Sequence, residues 1–334
     1  MEQRIAVYGA GGIGCYVGGR LAASGSPVTF VGRPRMAAEL AAHGLRLTDY
    51  LGAELRVEPS AIRYETSPAA AADADLVLVT VKSAATDTAA EELAGVLKPG
   101  AVVVSFQNGI RNGQILAARL TSARVLTGMV PFNVLNSGGG HFHQGTEGAL
   151  DIQRDSALSP YVAAFEQAGL PLKQHDDILP VQWAKLLLNL NNPINALADV
   201  PLRDELSDRA YRRCLAAAQA ETLELLAAKG IEPAQILRVP MRRFPMILRF
   251  PNFLFRRLAA TMLAIDPLAR TSMWEDLQAG RTTEIDYLNG EVVRLAAELG
   301  RTAPVNAKLV GLIRAAEVER RAWSGPELLR ELQG

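Results

Sequence analysis

The sequence predicts an α/β protein in two parts: a parallel sheet covered by helices over residues 1–177, then an all-α domain over residues 178–334. Three observations predict it. The first half alternates β-rich runs with helical periods, and two of its runs, LVLVTV at 76–81 and VVVSF at 102–106, are continuously apolar, as strands are when helices cover both sheet faces. From about Ile178 the pattern changes to long helical periods rich in Ala, Leu, Glu and Arg. The length of 334 residues exceeds what one core usually organises.

Taken in order, a β-rich run from Arg4 to Tyr8 ends in glycines, a small-residue helix continues to about Ser24, and a second run covers Val28 to Val31, which makes a β-α-β start. Leu45 to Leu47 and Leu55 to Val57 read as a hairpin, and Val125 to Val130 as a further strand. His141 to Gln144 with Ala149 to Ile152 read as a late hairpin, and the sheet is expected to end near Gln174. In the second half the periodicity predicts helices at about 179–198, 207–229, 267–279, 284–299 and 304–321, with Pro240, Pro245 and Pro251 breaking the segment between the second and third.

Composition narrows the function. Lys and Arg total 35 and Asp and Glu total 35, and a net charge of zero argues against a nucleic-acid phosphate backbone as the main partner. The longest stretch without a charged side chain, Val125 to Thr146, contains Pro131, three consecutive glycines and two histidines, so no membrane span is expected. The N-terminus lacks a basic segment followed by an apolar one, and Cys15 and Cys214 offer no disulfide framework, which together place the protein in the cytoplasm. His141 and His143 share a strand face without a third ligand nearby, so no metal is assigned.

Gly9-Ala10-Gly11-Gly12-Ile13-Gly14 matches G-x-G-x-x-G and falls between the first strand and the first helix, where a Rossmann-type domain binds the pyrophosphate of a dinucleotide. The free N–H groups and positive dipole end of that helix favour an anion. Where NAD enzymes carry Asp or Glu after the second strand, this chain reads Val31-Gly32-Arg33-Pro34-Arg35, and Arg33 suits the 2′-phosphate of NADPH. Lys82 and Asn108 follow the two apolar strands at the edge where ligands bind; a surface lysine and an Asn-Gly turn are their plain alternatives.

In the second domain, Trp183-Ala184-Lys185-Leu186-Leu187-Leu188-Asn189-Leu190-Asn191-Asn192-Pro193 sets a lysine and several amides in an apolar helix. At about 100° per residue, Asn189 lies roughly 40° to one side of Lys185 and Asn192 roughly 20° to the other. A desolvated lysine has a lowered pKa and suits a proton donor near neutral pH. Pro193 removes a helical donor and leaves the Asn189 carbonyl without it. Further on, Gly280 is expected to end a helix, and Thr283 with Asp286 resembles a capping box that puts Glu284 in a first turn.

Together these residues resemble the ketopantoate reductase family, the NADPH-dependent 2-dehydropantoate 2-reductases of pantothenate synthesis, through the glycine loop, Arg33, Val81-Lys82-Ser83, Gln107-Asn108-Gly109, Trp183-x-Lys185-Leu186, Ser272-Met273 and Thr283-Glu284-Ile285-Asp286-Tyr287. The resemblance covers nearly the whole chain. It implies that Lys185 donates the proton, Asn189 and Asn192 contact the 2-oxo acid, Ser272 binds its carboxylate, and Glu284 supports cofactor and substrate, while Arg33, Lys82 and Asn108 contact NADPH. Two departures stand out. The amide before Pro193 falls seven residues after Lys185 instead of eight, so Asn192 and Asn195 both remain open for that role, and Ala269-Arg270 stands where another substrate-binding asparagine is expected. The segment Arg238 to Arg257, with six arginines, four phenylalanines and no acidic residue, is long for the family and is open to a packed interface role, a homodimer contact, a reach over the substrate cleft or contact with an anionic surface. A reductase of another 2-oxo acid or of opine-type substrates, and a non-catalytic NADP-sensing protein, are the alternative functions.

Overall fold

The computed structural model describes residues 3–236, 239–258 and 269–333. It forms two compact units, Met1–Ile178 and Leu179–Gly334. The first contains β1 (Ile5–Tyr8), α1 (Gly12–Ala23), β2 (Val28–Val31), α2 (Pro34–His43), β3 (Leu45–Asp49), β4 (Glu54–Val57), β5 (Arg63–Glu65), β6 (Leu76–Val79), α3 (Thr86–Ala94), β7 (Val102–Ser105), α4 (Asn112–Arg119), β8 (Arg124–Met129), β9 (Val134–Gly138), β10 (His141–Gln144), β11 (Leu150–Gln153), α5 (Val162–Gln167) and β12 (Leu172–His175). The second contains α6 (Leu179–Asn189), α7 (Asn192–Ala198), α8 (Leu202–Ser207), α9 (Arg209–Lys229), α10 (Phe244–Leu248), α11 (Asn252–Leu258), α12 (Ser272–Gln278), α13 (Asn289–Glu298), α14 (Pro304–Val318) and α15 (Gly325–Gln333).

The main sheet has the order β12-β11-β8-β7-β6-β1-β2-β5, and from β5 to β8 every pairing is parallel. Its direction of winding reverses between β1 and β6, the position at which doubly wound sheets open a ligand crevice. The apolar runs behave as both-face burial requires. Val7, Leu78 and Val104 pack with Val17, Leu21 and Phe165 in one core, while Ala6, Val77, Val79 and Val103 pack with Ala90, Leu93 and Leu116 in another.

A second sheet, β4-β3-β10-β9, corrects the expected late hairpin. β3 and β4 do pair antiparallel as expected. However, β10 pairs with β9 and β3, whereas β11 joins the main sheet between β8 and β12. Alternation identifies a strand but not its partner: β10 turns back on the adjacent β9 and also pairs with the distant β3.

The helical unit is organised around α9, which Asp208 caps by accepting from the Ala210 N–H at 2.7 Å and Gly230 ends with a φ of 77°. Two expected helices are divided. The one predicted over 179–198 breaks at Leu190 and Asn191 into α6 and α7, because Pro193 has no N–H to offer the Asn189 carbonyl. The one predicted over 284–299 begins instead with a 3₁₀ turn, Ile285–Tyr287, before α13. The helix predicted over 267–279 appears as α12, its expected first two residues lying outside the described residues. The sequence reading missed α15, whose Leu328, Leu329 and Leu332 are buried.

The Arg/Phe-rich segment is packed onto α9 by Arg212, which is fully buried. Its guanidinium donates to the carbonyls of Leu206, Leu248 and Phe250 at 2.8, 3.1 and 2.9 Å and to Asn252 Oδ1 at 2.8 Å, and lies 4.1 Å from the centre of the Phe255 ring. Of that segment, residue 238 lies outside the described residues.

Candidate active-site residues

In the first unit the predicted dinucleotide residues all follow carboxyl ends of parallel strands. Gly9 leaves β1 with a φ of 107°, and a Cβ there would meet the Val81 nitrogen at 2.5 Å, so this turn admits only glycine. A Cβ on Gly14 would lie 2.4 Å from the Gly9 carbonyl oxygen and 2.6 Å from Thr80 Oγ1, so the helix start and the strand loop approach as closely as backbones can. Between them, Ala10 is buried, Gly11 is exposed as the N-cap of α1, and Gly12 and Ile13 are half-buried at its start. The first N–H groups of that helix have no partner within it and suit an anion.

Arg33 caps α2 immediately after β2 and its side chain is exposed. Tyr64 of β5 holds this loop by donating its hydroxyl to the Arg33 carbonyl at 3.1 Å, and its ring stacks on Phe30. Lys82 and Asn108, both exposed, follow the neighbouring strands β6 and β7. Their loops are joined beneath by a network that sequence reasoning missed. Gln107 donates to the Val81 carbonyl at 3.0 Å and to Thr86 at 2.8 Å, Ser83 donates to the Asn108 carbonyl at 3.0 Å, and Asn112 donates to Ser83 at 3.1 Å. Such bonds fix both loops to one another. The only sequence signal was an unusual density of short polar residues after each strand.

In the second unit, Lys185 and Asn189 stand half-buried on α6, and Asn192 half-buried at the first position of α7. Burial lowers the Lys185 ammonium from 10.5 to about 8. The break between the helices means that the angular count from Lys185 to Asn192 does not apply. Asn195 is fully buried, and both ends of its amide are engaged: Nδ2 donates to the Val200 carbonyl at 3.0 Å, and Oδ1 accepts from the Thr271 N–H at 3.1 Å. Thr271 also donates its hydroxyl to the Asn192 carbonyl at 3.4 Å and caps α12 by accepting from the Trp274 N–H at 3.3 Å. The structure therefore brings together Asn192 and the start of α12, where Ser272 is exposed.

Glu284, half-buried, precedes the 3₁₀ turn instead of lying in the first turn of a long helix. The expected capping box is absent. Thr283 instead donates both its N–H and its hydroxyl to Glu317 at 2.8 Å, and the Asp286 carboxylate pairs with Arg314. A tertiary carboxylate has displaced the local one. Glu221 of α9 does similar work at α14, accepting from the N–H groups of Val305 and Asn306 at 3.0 and 3.1 Å. Pro304 marks that helix start in the sequence, but nothing local identifies the carboxylate that serves it.

His141 and His143 both hydrogen-bond to the Thr48 hydroxyl, at 2.9 and 2.8 Å. Burial pushes the Cys15 thiol up, away from a reactive thiolate and consistent with packing. Among the described residues no helix is long and apolar enough to cross a membrane.

Comparison with known proteins adds the family context. The family model described as ketopantoate reductase PanE/ApbA matches residues 5–156, and the model of its C-terminal domain matches residues 177–317. A 2-dehydropantoate 2-reductase of Archaeoglobus fulgidus is 30% identical over 94% of this chain and 98% of its own length, and one of Halobacterium salinarum is 30% identical over 94% and 99%. Among solved structures, a PanE/ApbA family ketopantoate reductase from Ralstonia eutropha is 30% identical, with a TM-score of 0.81 over 95% of this chain and 99% of that one. A D-mandelate dehydrogenase solved with NADH and anilino(oxo)acetate shares the fold, with a TM-score of 0.77 over 95% of this chain and 99% of that one at 21% identity.

Proposed function

The chain belongs to the ketopantoate reductase family, oxidoreductases acting on a CH–OH group, and from that premise we propose that it reduces 2-dehydropantoate to (R)-pantoate in pantothenate biosynthesis, using NADPH. The observation that carries this reading is Lys185, a lysine whose burial brings it to about 8 on the helix leading into two half-buried amides. At pH 7 most of it is charged, yet it releases a proton far more readily than an ordinary lysine.

The residues present fit the nicotinamide cofactor. The Gly9 and Gly14 positions leave a backbone cradle that a Cβ would fill, at a helix start suited to a pyrophosphate. Exposed Arg33 supports NADPH over NADH, because it offers the 2′-phosphate a fork of N–H donors at a position where NAD enzymes place a carboxylate. Lys82 and Asn108, on loops tied together beneath, would contact it as well. NADPH, when bound, supplies the hydride that adds to C2 of the oxo acid.

Lys185 protonates the C2 oxygen as negative charge develops there, and its ammonium stabilises that charge beforehand. Asn189 and Asn192 orient the oxo acid by amide hydrogen bonds, and Ser272 donates its hydroxyl to the substrate carboxylate. The burial of Asn195 and the bonds its amide already makes favour Asn192 as the second substrate amide. Glu284 supports cofactor and substrate. We place the protein in the cytoplasm on its free, buried cysteines.

The test is NADPH oxidation against 2-dehydropantoate and a panel of 2-oxo acids that includes the aromatic phenylglyoxylate. The fold shared with a D-mandelate dehydrogenase makes an aromatic oxo acid the specific second reading. The highest kcat/KM is expected with 2-dehydropantoate. A preference for phenylglyoxylate establishes the second reading, and turnover of no oxo acid overturns both.

A further inference from the structure

Glu205 of α8 is fully buried, and its setting differs from that of the other buried carboxylates among the described residues. Asp151 pairs with His175 at 2.6 Å, Asp276 with Arg281 at 3.0 Å and Glu291 with Arg294 at 2.8 Å. Glu205 instead meets the amides of Asn191 and Asn195 and has no ion pair among the described residues, with Asn191 Nδ2 donating to its Oε2 at 3.2 Å. The titratable groups facing it from α9, Tyr211 and Cys214, are themselves pushed up by burial to about 12.

Two acceptors in this cluster, Glu205 Oε1 and Asn191 Oδ1, are buried without a hydrogen-bond partner among the described residues. A single proton resolves both. On Oε1 it converts an acceptor into a donor, and the acceptor still available on the amide that Oε2 already engages is Asn191 Oδ1. Leaving both orphaned would cost about 1–3 kcal/mol each.

We propose that Glu205 stands as the neutral acid in a two-point pair with the Asn191 amide, and that through Asn191 and Asn195 it positions the two stretches that contact substrate, Asn192 on α7 and Ser272 on α12. The route is continuous. Asn191 immediately precedes Asn192, while Asn195 accepts from the Thr271 N–H, one residue before Ser272, and the Thr271 hydroxyl returns to the Asn192 carbonyl. Burial holds the Glu205 carboxyl at about 8, consistent with a proton retained at neutral pH. Glu205 is a positioning residue, and this role rests on the substrate contacts proposed above.

The experiment compares Glu205→Gln with Glu205→Met in the full chain. Gln keeps the shape and a neutral donor, so KM for the oxo acid should stay within about threefold of wild type, whereas Met fills the space without hydrogen bonds and should raise that KM about tenfold or more. The NADPH Kd should change less than about twofold in both, because the bonds traced from Glu205 lead to Asn192 and Ser272, the proposed substrate contacts. Hydrogen exchange provides a readout independent of turnover: in the Met variant, peptides over 189–198 and 269–278 should exchange faster together, with 289–298 unchanged. Wild-type KM and exchange in a folded Met variant overturn the proposal, as does a Gln variant impaired like Met, since that would require the carboxylate charge. If Met fails to fold, the Gln variant alone decides. If the wild type reduces no oxo acid, the substrate reading fails, and the exchange pattern still decides the role of Glu205.

Discussion

Replacing Lys185 with Met should make the protein more stable and nearly inactive. The drop in the Lys185 pKa from 10.5 to about 8 means that burial penalises the folded ammonium by about 3 kcal/mol, at about 1.4 kcal/mol per pH unit. The hydrogen bonding that the ammonium gives up returns about 1 kcal/mol, so an unbranched apolar side chain of similar length should raise stability by about 1–2 kcal/mol at pH 7. The pH dependence follows from the sign of the shift. A depressed lysine pKa leaves the folded state short of a proton relative to the unfolded chain between about 8 and 10.5, so wild-type stability rises with pH in that window. The advantage of Met should therefore be full below about pH 8 and gone by about 10.5. Urea unfolding at pH 7, 9 and 10.5, followed by circular dichroism, measures it. In the same preparation kcat for 2-dehydropantoate should fall by about 10²–10⁴, the range for a positioned general acid, while NADPH still binds. The wild-type rate should itself decline about tenfold per pH unit well above 8 as the ammonium loses its proton. A Met variant less stable than wild type at pH 7, or one that keeps its rate, refutes the argument.

Arg33→Ala should weaken NADPH binding by about 10–100-fold, as expected for one charge-assisted contact to a phosphate, and barely affect NADH; equal losses, measured by fluorescence titration, would remove the 2′-phosphate from its role. Ser272→Ala should raise KM for the oxo acid about 5–30-fold with little change in kcat, from the loss of about 1–2 kcal/mol of ground-state binding. Steady-state kinetics check it, and an unchanged KM makes Ser272 structural. Arg212→Met should cost about 3–5 kcal/mol in urea unfolding, since it leaves three backbone carbonyls and Asn252 Oδ1 without their donor. A loss below about 1 kcal/mol would show that the Arg/Phe segment is held by its apolar contacts alone.

Much of this protein is legible along the chain because its physics is local. Continuous apolar runs marked β6 and β7, since burial on both faces leaves no polar positions. The glycine spacing marked the β1–α1 turn, where Gly9 takes a φ open to glycine alone and Gly14 leaves no room for a Cβ. Gly280 announced a helix end, and Lys185 within an apolar helix announced its own lowered pKa, whereas Pro193 announced only a lost donor for the Asn189 carbonyl within one continuous helix that the structure divides. Tertiary structure decided what depends on partners distant in sequence. It assigned β10 and β11 to different sheets, because a strand pattern carries no address for its neighbour. It gave Thr283 a partner in Glu317 and the start of α14 one in Glu221, each supplied by another helix. It separated Asn192 from Asn195, two identical side chains three residues apart, by enclosing one and leaving the other half-buried. Burial and pairing are properties of the packed chain, and no window of sequence contains them.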